Sequence, residues 1–144
     1  MKTSKQMVLV LLLLFCAVIS LSACGKQDPS DQIIGSWVPV KVNGVIGGQK
    51  ESMDADDWDG IGVMTFNEDG SFSGFDSSTM ANYDGFYWQV KGETIVLSNG
   101  NTTVKYSIIE LDSDTLIVRL DLEALGGGYF NSEDYLEATY KKQG

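Results

Sequence analysis

The chain has 144 residues, with 20 acidic against 10 basic side chains, no histidine, and two cysteines. Without histidine it lacks the usual general base at neutral pH and the commonest zinc ligand, and a net charge of −10 disfavours phosphate-rich partners. Enzyme chemistry, a metal site and nucleic-acid binding are therefore not expected, no cofactor is implied, and the length suits one domain with a real core.

Taken in chain order, Lys2 and Lys5 come first, followed by an uncharged apolar stretch over residues 7–21. This is the charged start and short apolar core of a secretory signal. A spanning helix needs about twenty apolar residues, and this stretch is shorter and ends in small ones. Leu21-Ser22-Ala23-Cys24 resembles the lipobox of bacterial lipoproteins, in which the chain is cut before the cysteine. The resemblance implies that residues 1–23 are a removable signal peptide and that Cys24 carries a diacylglyceryl group on sulfur and a further acyl chain, such as palmitate, on nitrogen. Burial contributes about 0.8 kcal/mol per methylene, so two or three chains hold where one does not. The expectation is an exported protein tethered by covalent lipid to the bacterial cell membrane or outer membrane.

Residues 24–32 are polar, contain a proline and show no periodicity, which reads as a tether reaching at most about 30 Å. Cys16 falls within the signal, so no intramolecular disulfide is expected and packing must supply stability. Removing the first 23 residues leaves 121, with eight basic and twenty acidic side chains and a net charge of −12. Such a domain is repelled by an anionic membrane surface, leaving the lipid alone to hold it there.

Beyond the tether, short runs rich in Val, Ile, Thr, Tyr and Phe alternate with Gly, Asn and Asp punctuation. Strands are expected at residues 37–42, 61–66, 71–75, 85–91, 94–98, 102–111, 115–122 and 134–141. Asn67-Glu68-Asp69-Gly70 turns the second into the third, Gly92 lies in the turn after the fourth, Asn99-Gly100 suits a two-residue hairpin, and Asp112-Ser113-Asp114 makes a further turn. No helix of ordinary length competes. Short turns make sequence neighbours antiparallel neighbours in space. The expected fold class is all-β: an eight-stranded antiparallel meander over residues 33–142, closed into a barrel that removes exposed edges, with a two-sheet sandwich as the alternative.

Alternation places Phe86, Trp88 and Val90 on one face, with Val104, Tyr106 and Ile108 likewise, and Leu116, Val118, Leu120 and Leu122. Arg119, Asp121 and Lys105 fall on the opposite faces. The barrel centre is thus apolar and aromatic, and eight strands enclose room for side chains or one small ligand. Phe72, Phe86, Trp88, Tyr106 and Tyr140 are the candidate interior ligand-binding residues.

Gly35-Ser36-Trp37 after Gln32-Ile33-Ile34 resembles the G-x-W signature of the lipocalins and wider calycins. The pieces "MTFNEDGSFSG", "GFYWQVKGETIVLSNG" and "YSIIELDSDTLIVRL" look like the strand and turn blocks of bacterial lipocalin-like lipoprotein domains. In that family the signature tryptophan packs across the closed end beneath a basic side chain from the last strand. The resemblance gives Gly35 and Trp37 a structural, barrel-closing role, with Lys141 or Lys142 supplying the cation. It also implies a small apolar ligand in the barrel. The T-D-Y-like triplet and the long helix before the last strand of larger lipocalins are not evident.

The segment of residues 43–60 is too long for a hairpin, and such loops are often functional. In lipocalin-like barrels its equivalent lies over the open end as a lid, which makes Met53 and Trp58 its candidate apolar plug. Asp54, Asp56, Asp57 and Asp59 do not make a calcium loop. With Gly60 at the invariant glycine position, Ala55 stands first and Phe66 last, where a carboxylate is needed. Gly126-Gly127-Gly128 lacks the helix and lysine of a phosphate cradle and reads as a hinge. Two functions follow: a lipid-anchored binder of a small apolar ligand, or a protein-interaction or inhibitor module using the acidic surface and the long first loop on an unidentified envelope partner.

Overall fold

The computed structural model describes residues 25, 27–57, 61–76, 81–82 and 85–144; the segment read as a signal peptide, Cys24 and Trp58 lie outside them. A four-residue helix α1 (Pro29–Gln32) precedes strands β1 (Gly35–Ile46), β2 (Gln49–Asp54), β3 (Met64–Phe66), β4 (Ser71–Ser73), β5 (Phe75–Asp76) and β6 (Ala81–Asn82). They are followed by β7 (Phe86–Lys91), β8 (Thr94–Ser98), β9 (Thr103–Leu111), β10 (Thr115–Asp121) and β11 (Tyr135–Lys142). Eight of these, β1, β3, β4, β7, β8, β9, β10 and β11, run as successive antiparallel neighbours, and β11 pairs back onto β1 to close the ring. The expected closed eight-stranded barrel is the observed fold.

Local chemistry sets the turns. Gly70, at φ 85°, donates to the Asn67 carbonyl at 3.0 Å, a bend that other residues adopt only with strain. Asp112 Oδ1 accepts from the backbone N–H groups of Asp114 and Thr115 at 2.9 and 2.8 Å, so one side chain holds the β9–β10 turn. The β8–β9 connection differs from the two-residue hairpin expected at Asn99-Gly100. Ser98 pairs with Thr103, leaving a four-residue loop, because Asn99 Oδ1 itself accepts from Asn101 and Thr102 N–H at 3.0 and 2.8 Å.

Three further features depart from the sequence expectation. Part of the segment read as a free loop, residues 43–60, is strand. β1 runs on to Ile46, turns through Gly47 and Gly48 at φ 59° and 79°, and returns as β2, paired from Lys41↔Asp54 to Ile46↔Gln49. Two successive positive-φ glycines are the requirement of a tight hairpin turn. β2 shares with β3 one edge of β1: β3 takes Gly35 to Trp37, and β2 takes the part from Lys41 onward. β5 and β6 pair with each other, antiparallel, as a separate two-stranded sheet. Finally, the end of the stretch read as tether is ordered, since Asp28 caps α1 by accepting from Ser30 N–H at 2.9 Å.

The core lies inside the barrel. Ile33, Trp37, Phe66, Ile95, Leu97, Leu116 and Tyr140 are essentially inaccessible, and the alternating faces expected for β7, β9 and β10 point into one cluster. Burial of each such side chain contributes about 1.5–3 kcal/mol. The aromatic packing is specific: Phe66 lies 5.0 Å from Phe72 and edge-on to Trp88 at 5.7 Å.

Candidate functional site

One end of the barrel is shut by a small set of contacts. Trp37 is fully buried, and its indole Nε1 donates to the Ile33 carbonyl at 2.7 Å. Lys142, opposite Trp37 in the β1–β11 register, lies with Nζ 5.0 Å from the ring centroid and donates to the Gln32 carbonyl at 3.0 Å. Strand alternation decides between the two lysines, because Lys141 points outward to Thr115 Oγ1 at 2.6 Å and Asp114 at 3.5 Å. Gly35 has φ 125°, and a Cβ there would stand 3.0 Å from Lys142 Cε. The φ of the first residue of the Gly-Ser-Trp triplet is one that L side chains rarely adopt, so glycine is required there for conformation, and any side chain would also press on Lys142.

Of the interior residues, Phe72, Phe86, Tyr106 and Tyr140 are buried together in the core cluster, with Trp88 half-buried against it. Trp88 Nε1 donates to the Asn67 carbonyl at 2.9 Å, so its polar edge is occupied by the β3–β4 turn. The structure brings all five together as packing partners. Phe66 and Met64, absent from the sequence-derived set, share that cluster; the alternation of β3 was a signal that could have found them.

The β1–β2 hairpin walls a separate concavity of about 160 Å³ lined by Val42, Ile46, Met53 and Leu136, with Gly44 in its floor and Glu51 its charged group. Met53 stands opposite Val42 and is 38% exposed, so it is a wall residue of this mouth. A Cβ at Gly44 would meet Leu136 Cδ2 and the Tyr135 carbonyl at 2.9 Å, so glycine is what lets β1 and β11 approach here. The hairpin is pinned by Asp134, which is only 3% exposed. Its Oδ1 accepts from Gly47 N–H at 2.8 Å and its Oδ2 from Asn131 N–H at 3.0 Å.

Residues 33–118 match the model of the lipocalin-like domain family, more than half of the chain. The chain belongs to the lipocalin-like domain family. The match ends within β10, and the closing strand β11 lies beyond it. No curated protein matches the chain, and no solved structure does.

A second concavity of this lipocalin-like barrel lies on its outside, about 570 Å³ over the outer faces of β7, β8 and β9. Tyr87, Lys91 and Lys105 line it. Strand alternation placed Gln89, Lys91 and Lys105 outward from the sequence. That the face is concave depends on the twist of three paired strands, which no single run reveals.

Proposed function

We infer that the protein is a lipid-anchored envelope protein whose lipocalin-like barrel binds a small apolar ligand. The observation that carries the binding reading is the mouth between β1, β2 and β11, where Val42, Ile46, Met53 and Leu136 present an apolar hollow. At about 160 Å³ it accepts an alkyl segment or a single small ring, not a large polycyclic molecule. Glu51 on its wall gives such a ligand one polar contact. The anchor rests on the lipobox-like Leu21-Ser22-Ala23-Cys24 after a short apolar core. Because residues 49–54 are tied to β1 as a strand, the interaction-module alternative loses much of its free loop and stands second.

Chemical-shift titration with 1-octanol tests the ligand site. The native protein should show saturable shifts at the Val42, Ile46 and Leu136 methyls, and Met53→Glu, which puts a charge on the wall of the mouth at an exposed position, should abolish them; equal shifts in the variant overturn the reading. Metabolic labelling with an alkyne analogue of palmitate tests the anchor, and label persisting in Cys24→Ser would sink it.

A further inference from the structure

The outer wall of β7, β8 and β9 carries side chains that the interior does not use, and the pairing registers set them out as a grid. Tyr87, Ser98 and Thr103 form one row, and Gln89, Val96 and Lys105 the next. Lys91 and Thr94 form the third, which Ser107 continues. The face is concave, and the Tyr87 ring at its edge is 64% exposed, far more than a core-supporting tyrosine would be. Ser98 Oγ accepts from Gly100 N–H at 3.2 Å and from Thr103 Oγ1 at 3.4 Å, which leaves the Ser98 hydroxyl proton and the Thr103 lone pairs for a ligand.

Charge is the second observation. The chain has twice as many acidic as basic residues, yet the residues lining this hollow include two lysines and no carboxylate. Among the described residues neither Lys91 nor Lys105 has an ion-pair partner. Asp69, on the turn next to the first row, is committed to Ser71, whose hydroxyl and N–H it accepts at 2.6 and 2.9 Å.

We propose that this outer face binds an acidic polysaccharide whose sugars bear carboxylates. An exposed phenol ring offers a flat apolar surface to the C–H face of a pyranose, and hydroxyl and amide groups beside it exchange hydrogen bonds with sugar hydroxyls. Lys91 and Lys105 are separated by two strands and one row, which places their Cα atoms about 12 Å apart from ordinary strand spacing and rise. That span suits two charges on one repeating chain. Nucleic acid shares the charge, but the lining holds one aromatic ring, where a single strand stacks successive bases on several. The site shares no lining residue with the barrel mouth and stands independently of the apolar ligand.

Calorimetric titration of the full chain in detergent with tetragalacturonic acid tests this, with the carboxyl-reduced tetrasaccharide as the neutral control. Saturable binding is expected, weakening as salt rises, and falling at least about tenfold with the neutral sugar, with Tyr87→Ala and with the Lys91→Gln, Lys105→Gln double variant. Both variants should unfold at the wild-type temperature and retain 1-octanol binding, which separates this site from the mouth. Absence of saturable binding, equal binding of the neutral sugar, or wild-type affinity in both variants overturns the proposal. So does equal affinity for a single-stranded oligonucleotide of the same charge, or self-association through this face that Tyr87→Ala abolishes.

Discussion

Lys141 and Lys142 are adjacent in sequence and do unrelated things. Lys142 is drawn inward over Trp37 and onto the Gln32 carbonyl, while Lys141 makes an exposed contact with Asp114 that contributes little. Trp37→Phe should therefore cost about 3 kcal/mol in urea unfolding, combining lost volume with an unpaired buried Ile33 carbonyl. Lys142→Met should cost about 1–2 kcal/mol, and Lys141→Met should change the midpoint barely at all. Asp114 and Asp69 add an acid-side dependence. The Thr115 hydroxyl, and next the charge of Lys141, hold the Asp114 carboxyl below its usual 3.8, and the Ser71 hydroxyl and N–H do the same for Asp69. A carboxylate depressed in the folded state stabilises fully above its unfolded value, and that contribution disappears as pH falls through the folded one. Asp114→Asn should thus narrow its stability gap to wild type as pH drops from about 5 to about 2, measured as urea midpoints. A gap independent of pH would contradict this.

Among the elements, the β1–β2 hairpin is the part most dependent on a distant residue. Its turn amide at Gly47 is held by Asp134, 87 positions later in the chain, and Asp134 is also tied to Asn131 and, through its carbonyl, to Leu122 N–H at 3.0 Å. Asp134→Ala should cost about 1–3 kcal/mol for each N–H left without its acceptor and speed hydrogen exchange at Gly47 and along β2, while the amides of β9 and β10 stay protected. Uniform acceleration over the whole barrel would mean that the hairpin has no independent opening. The same hairpin marks where sequence reading stopped short. Ile46-Gly47-Gly48-Gln49 carries a readable turn signal, but Gln49-Lys50-Glu51-Ser52 has none of the apolar alternation that identifies a strand, since all of β2 is exposed. Where alternation was strong, as in Ile95 and Leu97 or Leu116 and Val118, element and inward face were both legible.

At the scale of the whole molecule, acidic repulsion opposes a barrel stabilised from within. Ten basic residues face twenty acidic ones, and self-repulsion of this kind is screened by salt. Raising ionic strength from about 0.01 to about 0.15 M should raise the urea midpoint with little change in the unfolding slope; a midpoint that falls would show that attractive pairs such as Arg119–Glu137, at 2.8 Å, dominate instead. By itself the sequence determined the strand-rich architecture and the inward faces, because period-two alternation and turn chemistry are local properties of the chain; the Gly35–Trp37 closure came from the resemblance to the lipocalins. Only the tertiary structure decided that Lys142 and not Lys141 covers Trp37, that β2 builds a mouth with Leu136, and that β7, β8 and β9 curve into an outer hollow. Each of those depends on register and twist between strands far apart in the chain, and no local pattern carries that information.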